Sequence, residues 1–581
     1  MKQPLAVLRN RMEERKIDIY IVPTNDFHGS EYLNDYFATR RFLTGFTGSA
    51  GTVLVTASEA KLWTDGRYFL QAARQLAGSG IDLMKMGEPD VPTLAEYLTS
   101  HLKAGATLAF DGRVVSFRQG EEWAAIAEAR SASVVSNLDL VGDIWIDRPP
   151  LHGNPIRPLP LSSAGEPYES KIKRIREEMK QSGASMYLIA DLTENAWLYN
   201  FRGSDVTYTP VFFAYTIVRP DDVLLYLFDE VLDPGLIPEG VSVRNYFALP
   251  HDLMETPPGA SLLFDPDTCS YALIQALPDD TIRVAKPSPA ARLKAVKNQG
   301  EIAATERAHL RDGVAVVNFI YWLKRQVATG RITERGASAY LLEERKAGKG
   351  FFDLSFSTIA GYMEHGAIIH YSATEETDTY LAPRGFFLVD SGGQYVDGTT
   401  DITRTIALGP LTDRMKECYT AVLRGHIDLA LAEFQPGTTG SDLDPIARSP
   451  IREIGLDYKH GTGHGIGHVL SVHEGPQSIS ARPNAVPLQA GMITSDEPGI
   501  YLENEFGIRI ESELLCVNKG SLLGFRMLTL SPYERDAIRK DMLTEKELAF
   551  LNAYHKRVYE SLAPYLAPPV KEWLFGRTRD L

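Results

Sequence analysis

The chain has 581 residues, 44% of them hydrophobic, and a formal net charge of −15 at pH 7. This length predicts about three domains, and the acidic balance argues against nucleic acid or an anionic membrane as the main partner. The three cysteines lie far apart without a CxxC pair, which argues against a disulfide framework or a zinc–thiolate site and favours a reducing cytoplasm.

The front of the chain predicts an α/β domain. Leu5, Leu8 and Met12 recur at helical spacing, and the apolar run that follows them predicts a buried strand. The expected elements are a helix over 4–16, strands over 18–22, 52–56 and 60–64, and a helix over 67–76. The N-terminus lacks the apolar core of a signal peptide, and no apolar run of roughly 18 residues predicts a membrane helix.

A second copy of this unit is predicted to begin near residue 168. The residues that match at a constant offset are Leu8, Arg9, Met12 and Tyr20 in the first copy and Ile175, Arg176, Met179 and Tyr187 in the second. The sequence FTGS at 46–49 is then echoed by FRGS at 201–204. Unrelated amphipathic helices also give chance matches, but the shared order of helix, strand and FxGS favours a duplication.

Proline-rich segments divide the chain further. Residues 148–160 and 286–289 have the composition of linkers. We therefore predict three domains, over 1–155, 156–290 and 291–581. The elements expected in the third are helices over 294–327, 333–346, 412–431 and 544–562, and strands near 368–371, 386–390 and 402–407.

The third domain contains pairs of acidic residues beside strand-like runs. Asp390 ends an apolar strand, and Asp401 stands next to a β-branched run beyond a glycine-rich turn, so the two strands could pair and bring the carboxylates together. Glu497 and Glu511 repeat this arrangement around the turn signal Pro-Gly. A single such carboxylate is usually a cap or half of an ion pair. Together they resemble the oxygen ligands of two divalent cations, which lie about 3.5–4 Å apart when they share carboxylates.

Four histidines fall in one short segment of the same domain. They are His460, His464, His468 and His473. The sequence HGTGH at 460–464 is not the HExxH zinc helix, because its glycines do not maintain a helix face, and it lacks the pattern of a phosphate loop. Imidazole nitrogen suits the same divalent metals as carboxylate oxygen, although one or two of these histidines could serve packing alone.

This set of motifs resembles the pita-bread metallopeptidases, and within them the three-domain aminopeptidase P (Xaa-Pro aminopeptidase) family. The residues that match the metal-ligand motifs of that family are Asp390, Asp401, His464, Glu497 and Glu511. The sequences FLTGF at 42–46, WTDGRY at 63–68 and NFRGSD at 200–205 are similar to its two non-catalytic domains. The resemblance implies an α/β (α+β) protein with two creatinase-like N-terminal domains and a C-terminal pita-bread catalytic domain.

The resemblance also implies a reaction. The enzyme would remove the N-terminal residue from peptides with proline in second position, by attack of a hydroxide that bridges two metal ions. Mn²⁺ is the expected metal, with Zn²⁺ or Co²⁺ as alternatives. Asp390 is expected to hold one ion and His464 and Glu497 the other, with Asp401 and Glu511 between them. Glu497 is also expected to accept the proton of the attacking water.

Further residues match substrate positions of the family. His370 in the sequence AIIHY, His460 and His473 match its substrate histidines. His370 and His473 are expected to act in catalysis, on the oxyanion and the prolyl nitrogen, and His460 to shape the proline pocket. Tyr501 and Arg509 match residues that line or brace the site.

Other readings of the sequence remain open. A prolidase shares the ligands but takes only dipeptides and generally has one N-terminal domain. A non-enzymatic binding protein on the same fold would be expected to have lost ligands, and a metal-free hydrolase such as creatinase would lack most of the carboxylates. The expected protein is a cytoplasmic homodimer that acts on peptides, with no nucleic-acid or membrane partner.

Overall fold

The computed structural model describes residues 4–581. The described chain divides into two compact units. One contains the residues up to Pro158 and Pro167–Ala291, and the other contains Leu159–Glu166 and Arg292–Leu581. Among the described residues, no helix combines the length and apolar character needed to cross a membrane.

The first unit begins with a six-stranded sheet in the order β4-β3-β2-β1-β5-β6. Its strands are β1 (Ile19–Pro23), β2 (Thr52–Thr56), β3 (Ala60–Thr64), β4 (Asp82–Lys85), β5 (Thr107–Phe110) and β6 (Ser133–Val135). The helices of this segment are α1 (Pro4–Arg15), α2 (Thr39–Thr44), α3 (Phe69–Gln75), α4 (Leu94–His101), α5 (Phe117–Ala129) and α6 (Leu140–Ile144). The central strand β1 pairs antiparallel with β2 and parallel with β5, and the elements predicted from the sequence are all present.

A second sheet of six strands follows in the same unit. The strands after β6 are β7 (Arg157–Pro158), β8 (Met186–Ile189), β9 (Phe201–Arg202), β10 (Ala214–Val218), β11 (Val223–Leu227), β12 (Val241–Asn245), β13 (Ser261–Phe264) and β14 (Ile282–Ala285). The helices of this segment are α8 (Tyr168–Gln181), α9 (Leu192–Tyr199), α10 (Leu249–Met254) and α11 (Tyr271–Gln275). Helix α7 (Leu161–Ala164) belongs to the second unit, and α12 (Pro289–Ala295) spans the boundary after Ala291.

The two sheets have the same topology. The second sheet runs β12-β11-β10-β8-β13-β14, and its central strand β8 pairs antiparallel with β10 and parallel with β13, as β1 pairs with β2 and β5. This is the arrangement expected of a duplication. Tyr271 of α11 packs in one core with Phe110 and Trp123, so the two sheets share apolar contacts. The domain ranges 1–155, 156–290 and 291–581 stay a prediction.

The second unit combines long helices with short, mostly antiparallel strands. The helices are α13 (Gln299–Gln326), α14 (Glu334–Ala347), α15 (Asp413–Ala430), α16 (Gly440–Glu453), α17 (Glu545–Leu562) and α18 (Pro568–Thr578). The strands are β15 (Phe351–Leu354), β16 (Ile359–Tyr362), β17 (Phe386–Ser391), β18 (Gly393–Tyr395), β19 (Gly398–Thr399), β20 (Ile402–Ala407), β21 (Glu433–Phe434), β22 (Gly463–Gly465), β23 (Glu474–Ile479), β24 (Ile493–Asp496), β25 (Gly499–Leu502), β26 (Phe506–Arg509), β27 (Ser512–Lys519) and β28 (Leu522–Met527).

These strands form several small sheets. A three-stranded sheet runs β16-β17-β20, and a six-stranded sheet runs β21-β28-β27-β24-β22-β23. The apolar face of α13, including Phe319 and Leu323, packs on Phe387 and Val389 of the first of these sheets. The buried face of α15 shares a core with β27 and β28 of the second sheet. Strands β25 and β26 pair as a separate hairpin.

The observed elements differ from the prediction in two places. The predicted helix over 294–327 is interrupted, because Asn298 caps a new helix by accepting a hydrogen bond from the amide of Glu301. The predicted strand over 368–371 is wrong. A 3₁₀ turn over Met363–Ala367 precedes this segment, and Tyr371 donates its amide to the carbonyl of Ile368, so the local hydrogen bonds form turns and no ladder.

All three cysteines are buried. Cys269 lies in the first unit, and Cys418 and Cys516 lie on α15 and β27 of the second. Burial raises the pKa of each thiol, to about 12 for Cys516. The side chains therefore pack as small apolar groups.

Candidate metal centre

Two pairs of strands bring the acidic residues together. Strand β17 pairs antiparallel with β20, which places Asp390 opposite Thr403, two residues after Asp401. Strand β24 pairs with β27 in the same way, so that Glu497 follows the end of β24 and Glu511 precedes the start of β27. This confirms the antiparallel pairing predicted for the two strands that carry the aspartates.

The two strand pairs are joined at the site. The amide of Glu511 donates to the carbonyl of Thr403 at 3.0 Å, and the hydroxyl of Thr405 donates to the carbonyl of Arg509 at 2.9 Å. The hydroxyl of Thr403 donates to Glu511 Oε2 at 2.6 Å. The carboxylates of both pairs are therefore held on a hydrogen-bonded frame.

Three of the expected ligands converge closely. One ligand atom from each of Asp401, His464 and Glu511 lies within 4.8 Å of the others. His464 Nε2 is 3.5 Å from Asp401 Oδ2 and 3.7 Å from Glu497 Oε1. A cation at roughly 2.0–2.6 Å from each donor holds its ligand atoms within about 4–5 Å of one another. These separations fit a shared cation.

His464 presents the correct nitrogen to this cluster. It lies in β22, where its amide donates to Ser495 Oγ at 3.0 Å. Its Nδ1 is 2.9 Å from the carbonyl oxygen of Gly465, so Nδ1 carries the proton in the neutral ring. The lone pair of Nε2 then faces Asp401 and Glu497, which is the tautomer that a metal ligand requires.

Asp390 is held on the same cluster by Arg509. Arg509 Nη2 donates to Asp390 Oδ2 at 2.6 Å, and both side chains are buried. The other oxygen, Asp390 Oδ1, is buried and accepts no hydrogen bond from the described residues. A buried carboxylate oxygen without a partner is costly, and a bound cation would satisfy it.

The pKa values of these groups reflect a local excess of negative charge. Burial, together with the neighbouring carboxylates, raises the pKa of Glu511 well above its ordinary value, and burial raises the pKa of Glu497 to about 7. Burial also raises the pKa of Asp390 although Arg509 opposes the shift. For His464, burial disfavours the charged ring, but the hydrogen bond with Asp401 and the charge of Glu497 outweigh it and raise the pKa to about 9.

These shifts and the donor chemistry fit divalent cations. Carboxylate oxygen and imidazole nitrogen are the ligands that Mn²⁺ and Zn²⁺ accept. Without metal, the cluster retains protons that divalent ions would displace.

A chain of polar contacts extends from Asp390 toward the expected substrate residues. Arg509 Nη1 donates to the hydroxyl of Tyr501 at 2.8 Å, and that hydroxyl is 2.8 Å from His460 Nε2. The hairpin β25–β26 carries both Tyr501 and Arg509. A continuous series of polar contacts thus connects His460 to Asp390 through Tyr501 and Arg509.

The two remaining histidines expected to act on substrate are His473 and His370, and they contact different parts of the structure. The rings of His464 and His473 meet edge to face with centroids 4.4 Å apart. His370 follows the 3₁₀ turn over Met363–Ala367, and Gly366 in that turn lies against Gly507 of β26. The turn therefore rests on the hairpin that ends in Arg509.

Three residues that touch the expected ligands carry no recognised motif in the sequence. Thr403 donates to Glu511, Arg404 Nη1 donates to the carbonyl of Glu511 at 2.6 Å, and Glu513 accepts the amide of Asp401. The period-2 spacing of Thr403 after Asp401 and of Glu513 after Glu511 is a signal that could have found two of them, because alternate residues of a strand share a face.

Comparison with known proteins places this site in a family. Residues 303–518 match the model for metallopeptidase family M24, and residues 521–581 match the C-terminal region of that family. Residues 4–141 and 147–301 each match a creatinase/prolidase N-terminal domain. The fold is that of a pita-bread metallopeptidase preceded by two creatinase-like α/β domains, as the sequence motifs predicted.

Full-length relatives narrow the class. The chain is 40% identical to aminopeptidase P2 of Arabidopsis thaliana, over 97% of this chain and 86% of the relative. It is 37% identical to aminopeptidase P1 of the same plant, over 100% and 99%. The solved X-prolyl aminopeptidase of Caenorhabditis elegans, described as a cytosolic enzyme with a di-nuclear active site, is 33% identical with a TM-score of 0.95, covering 100% of this chain and 99% of that chain. The chain belongs to the aminopeptidase P (Xaa-Pro aminopeptidase) family.

Proposed function

We propose that this protein is a metal-dependent aminopeptidase that removes the N-terminal residue from peptides with proline in second position. The observation that carries the proposal is the cluster of the buried Asp401 and Glu511 with the half-buried His464, whose ligand atoms lie within 4.8 Å of one another. It occurs in a chain that matches aminopeptidases P over its whole length. Family and site thus indicate the same chemistry.

The five ligands would hold two divalent cations. Asp390 would bind one ion, His464 and Glu497 the other, and Asp401 and Glu511 would bind both. Two ions are supported by the number of carboxylates and by the di-nuclear site of the Caenorhabditis elegans relative. Mn²⁺ is the metal that we propose, with Zn²⁺ or Co²⁺ as alternatives. When bound, such a pair of ions polarises a carbonyl and lowers the pKa of water.

Protein side chains would accept and donate the protons of the reaction. Glu497 is placed at the cluster, where it can accept the proton of the attacking water as the new C–O bond forms. His473 lies against His464. We assign to it and to His370 the stabilisation of the oxyanion and the donation of a proton to the prolyl nitrogen as the C–N bond breaks.

Selection of proline would follow from the shape of the site. An Xaa-Pro bond has no N–H group and a restricted φ, so a pocket that offers no acceptor to that position loses nothing by binding it. His460 would shape this pocket, because Tyr501 and Arg509 fix its ring through one hydroxyl. The same contacts tie the pocket to the ligand Asp390.

A prolidase is the second candidate. The prolidase of Thermococcus sibiricus is 22% identical with a TM-score of 0.52 and covers 64% of this chain, so the likeness is one of fold alone. The second creatinase-like domain favours the aminopeptidase. A non-enzymatic binding protein is disfavoured because the whole ligand set is present.

A series of substrate lengths tests the proposal. The protein is stripped with a chelator, reloaded with Mn²⁺, Co²⁺ or Zn²⁺, and assayed with Xaa-Pro, Xaa-Pro-Yaa and longer peptides, with Xaa-Ala-Yaa as the control. We expect release of the first residue from Xaa-Pro-Yaa and longer peptides, greatest with Mn²⁺. Cleavage confined to Xaa-Pro would identify a prolidase, and no metal-dependent cleavage would refute both activities.

We further propose a cytoplasmic homodimer of three-domain chains divided at 1–155, 156–290 and 291–581. The family likeness supports this proposal, as does the description of the Caenorhabditis elegans relative as cytosolic. Light scattering of the purified protein tests the dimer, since a monomeric mass at working concentration would contradict it.

A further inference from the structure

Glu513 is a buried carboxylate directly behind the proposed metal ligands. It lies on β27, two residues beyond Glu511, and its side chain is 0% exposed. Its Oε1 accepts the backbone amide of Asp401 at 2.8 Å, and its Oε2 is 3.0 Å from His309 Nε2. Both oxygens therefore face nitrogen atoms, and both accept hydrogen bonds when His309 carries its proton on Nε2.

The contact with Asp401 replaces a bond that the strand ladder does not provide. Asp401 precedes the first residue of β20, where pairing with β17 begins at Ile402 and Ser391. The carboxylate of Glu513 supplies the acceptor for the amide at this end of the strand. Two residues from Asp401 and from Glu513, the amide of Glu511 donates to the carbonyl of Thr403. The segment from Glu511 to Glu513 thus fixes both proposed bridging ligands, Glu511 through its own amide and Asp401 through the side chain of Glu513.

His309 gives Glu513 a rigid support. It lies on α13 and is 2% exposed at its side chain. Three residues further along the helix, Asp312 accepts from Arg345 of α14 at 2.8 Å and from the hydroxyl of Tyr395 of β18 at 2.9 Å. These bonds hold α13 against its neighbours, so His309 keeps a fixed position toward β27.

Charge provides a second reason for a carboxylate at this position. Two buried guanidinium groups adjoin the proposed ligands, because Arg509 pairs with Asp390 and Arg404 donates to the carbonyl of Glu511. Glu513 adds one buried negative charge beside the same cluster. Buried charges are tolerated when they are paired and hydrogen-bonded.

We infer that Glu513 is a positioning residue of the metal centre, which holds Asp401 in place through its amide and is itself held by His309. The inference rests on the proposed function, because it assigns Asp401 to the bound cations. Outer contacts of this kind fix the geometry of ligands, and their loss typically weakens metal binding about 10–100-fold.

Direct metal binding tests the inference. Calorimetric titration of the chelated full-length protein with Mn²⁺ gives the affinity and the number of ions for wild type, Glu513→Ala and Glu513→Gln. We expect weakening of about 10–100-fold for Glu513→Ala. Glu513→Gln should weaken binding less, because the glutamine oxygen can still accept one of the two N–H groups. Far-ultraviolet circular dichroism identifies which variants are folded.

The matched control is Glu547→Gln. Glu547 is also a buried carboxylate, paired with Arg424 at 3.1 Å and capping α17, away from the cluster. Its loss should lower thermal stability and leave Mn²⁺ affinity unchanged. Wild-type affinity in a folded Glu513 variant would overturn the inference while leaving the proposed activity standing. Failure of the wild-type protein to bind Mn²⁺ or to hydrolyse Xaa-Pro-Yaa is a different outcome, which would overturn the proposed function itself.

Discussion

At the scale of single residues, the centre is dominated by unbalanced charge. Three buried carboxylates and the half-buried Glu497 lie beside one imidazole, and Arg509 pairs with one of them, Asp390. Burial and mutual repulsion raise the pKa of Glu511 well above that of an exposed glutamate. Such a cluster is stable as an anion only when further positive charge enters it. Metal binding is therefore coupled to the loss of protons from the ligands.

Glu511→Gln tests this coupling. The substitution keeps the size of the side chain and removes one charge and one ligand oxygen. We expect fewer than two bound Mn²⁺ per chain and a fall of about 1,000-fold or more in the rate of hydrolysis, because metal ligands stabilise transition-state charge by several kcal/mol. Elemental analysis of the dialysed protein and a rate assay on Xaa-Pro-Yaa measure both effects.

The control substitution removes one negative charge from an exposed glutamate. Glu503 lies exposed between β25 and β26, and Glu503→Gln should leave both metal content and rate unchanged. Undiminished turnover in Glu511→Gln would remove Glu511 from its proposed bridging role.

Sequence motifs indicated which residues to propose as ligands, but not what surrounds them. Asp401 and Glu511 could be identified because each sits in a short motif with a known family match. Their contacts with Thr403, Arg404 and Glu513 depend on which strands pair and in which register, and this information is nonlocal. The short distance between His464 and Asp401 likewise follows from the pairing of β22 with β24 and from the hydrogen bond of Glu511 with Thr403, which no local pattern encodes.

At the scale of elements, the close approach of two glycines supports the part of the site that we propose binds substrate. A Cβ atom on Gly507 of β26 would overlap the carbonyl oxygen of Gly366. The turn over Met363–Ala367 can therefore lie on the hairpin β25–β26 only because Gly507 lacks a side chain. The turn leads directly to His370, and the hairpin carries Tyr501 and Arg509.

Gly507→Ala should push the turn away from the hairpin. We expect a loss of about 1–3 kcal/mol in the free energy of unfolding, as for other overpacked sites, and a raised KM for Xaa-Pro-Yaa because His370 moves with the turn. Urea unfolding and steady-state kinetics measure the two effects.

Gly576→Ala is the matched control. Gly576 lies in α18 with no atom near the position of a Cβ, and alanine there should stabilise the helix by up to about 1 kcal/mol. A Gly507→Ala protein with the stability and KM of wild type would show that the turn tolerates displacement.

Helix α17 contains a histidine that must stay neutral in the folded protein. His555 is fully buried, and its Nε2 accepts the amide of Tyr533 at 3.1 Å. Burial, with smaller contributions from Arg535 and Arg404, lowers the pKa of His555 to about 3. The unfolded chain then binds a proton at a higher pH than the folded one. The stability contributed by neutral His555 is complete above about pH 6.5 and is lost as the pH falls toward 3.

His555→Gln should flatten this dependence, since glutamine offers an acceptor that does not titrate. We expect the acid loss of stability between pH 6.5 and 3 to shrink by roughly 3–5 kcal/mol at most. Urea unfolding at a series of pH values measures it. The exposed His152 serves as the comparison, because His152→Gln should leave the wild-type curve intact. An unchanged curve in His555→Gln would mean that another group controls acid unfolding.

Most helices and strands were predicted at the observed positions, and the strand over 368–371 was not. Helix α15 begins after Thr412, whose hydroxyl accepts the amide of Met415 as the capping signal indicated. The predicted strand over 368–371 fails because its apolar residues follow a turn fixed from outside, where Glu334 accepts the amide of Tyr362 at 2.7 Å. Local β propensity has little weight when a distant side chain sets the backbone.

At the scale of the whole molecule, the repeated sheets show what sequence can reveal of architecture. The weak internal matches around Tyr20 and Tyr187 correspond to the central strands β1 and β8, which occupy the same place in two sheets of identical order. The duplication was therefore visible in the sequence. The boundaries of 1–155, 156–290 and 291–581 stay a prediction, because shared apolar contacts such as that of Tyr271 with Phe110 join the two sheets into one compact unit.

The buried cysteines give each compact unit an internal reporter of its own opening. A thiol reagent can reach Cys269 only when the first unit opens, and Cys418 or Cys516 only when the second does. Alkylation followed by peptide mass spectrometry would thus yield a separate exposure rate for each unit from a single sample. Because a ligand that binds only the native state suppresses opening, Mn²⁺ should slow alkylation at Cys418 and Cys516, whereas Cys269 should keep its rate if its unit opens independently.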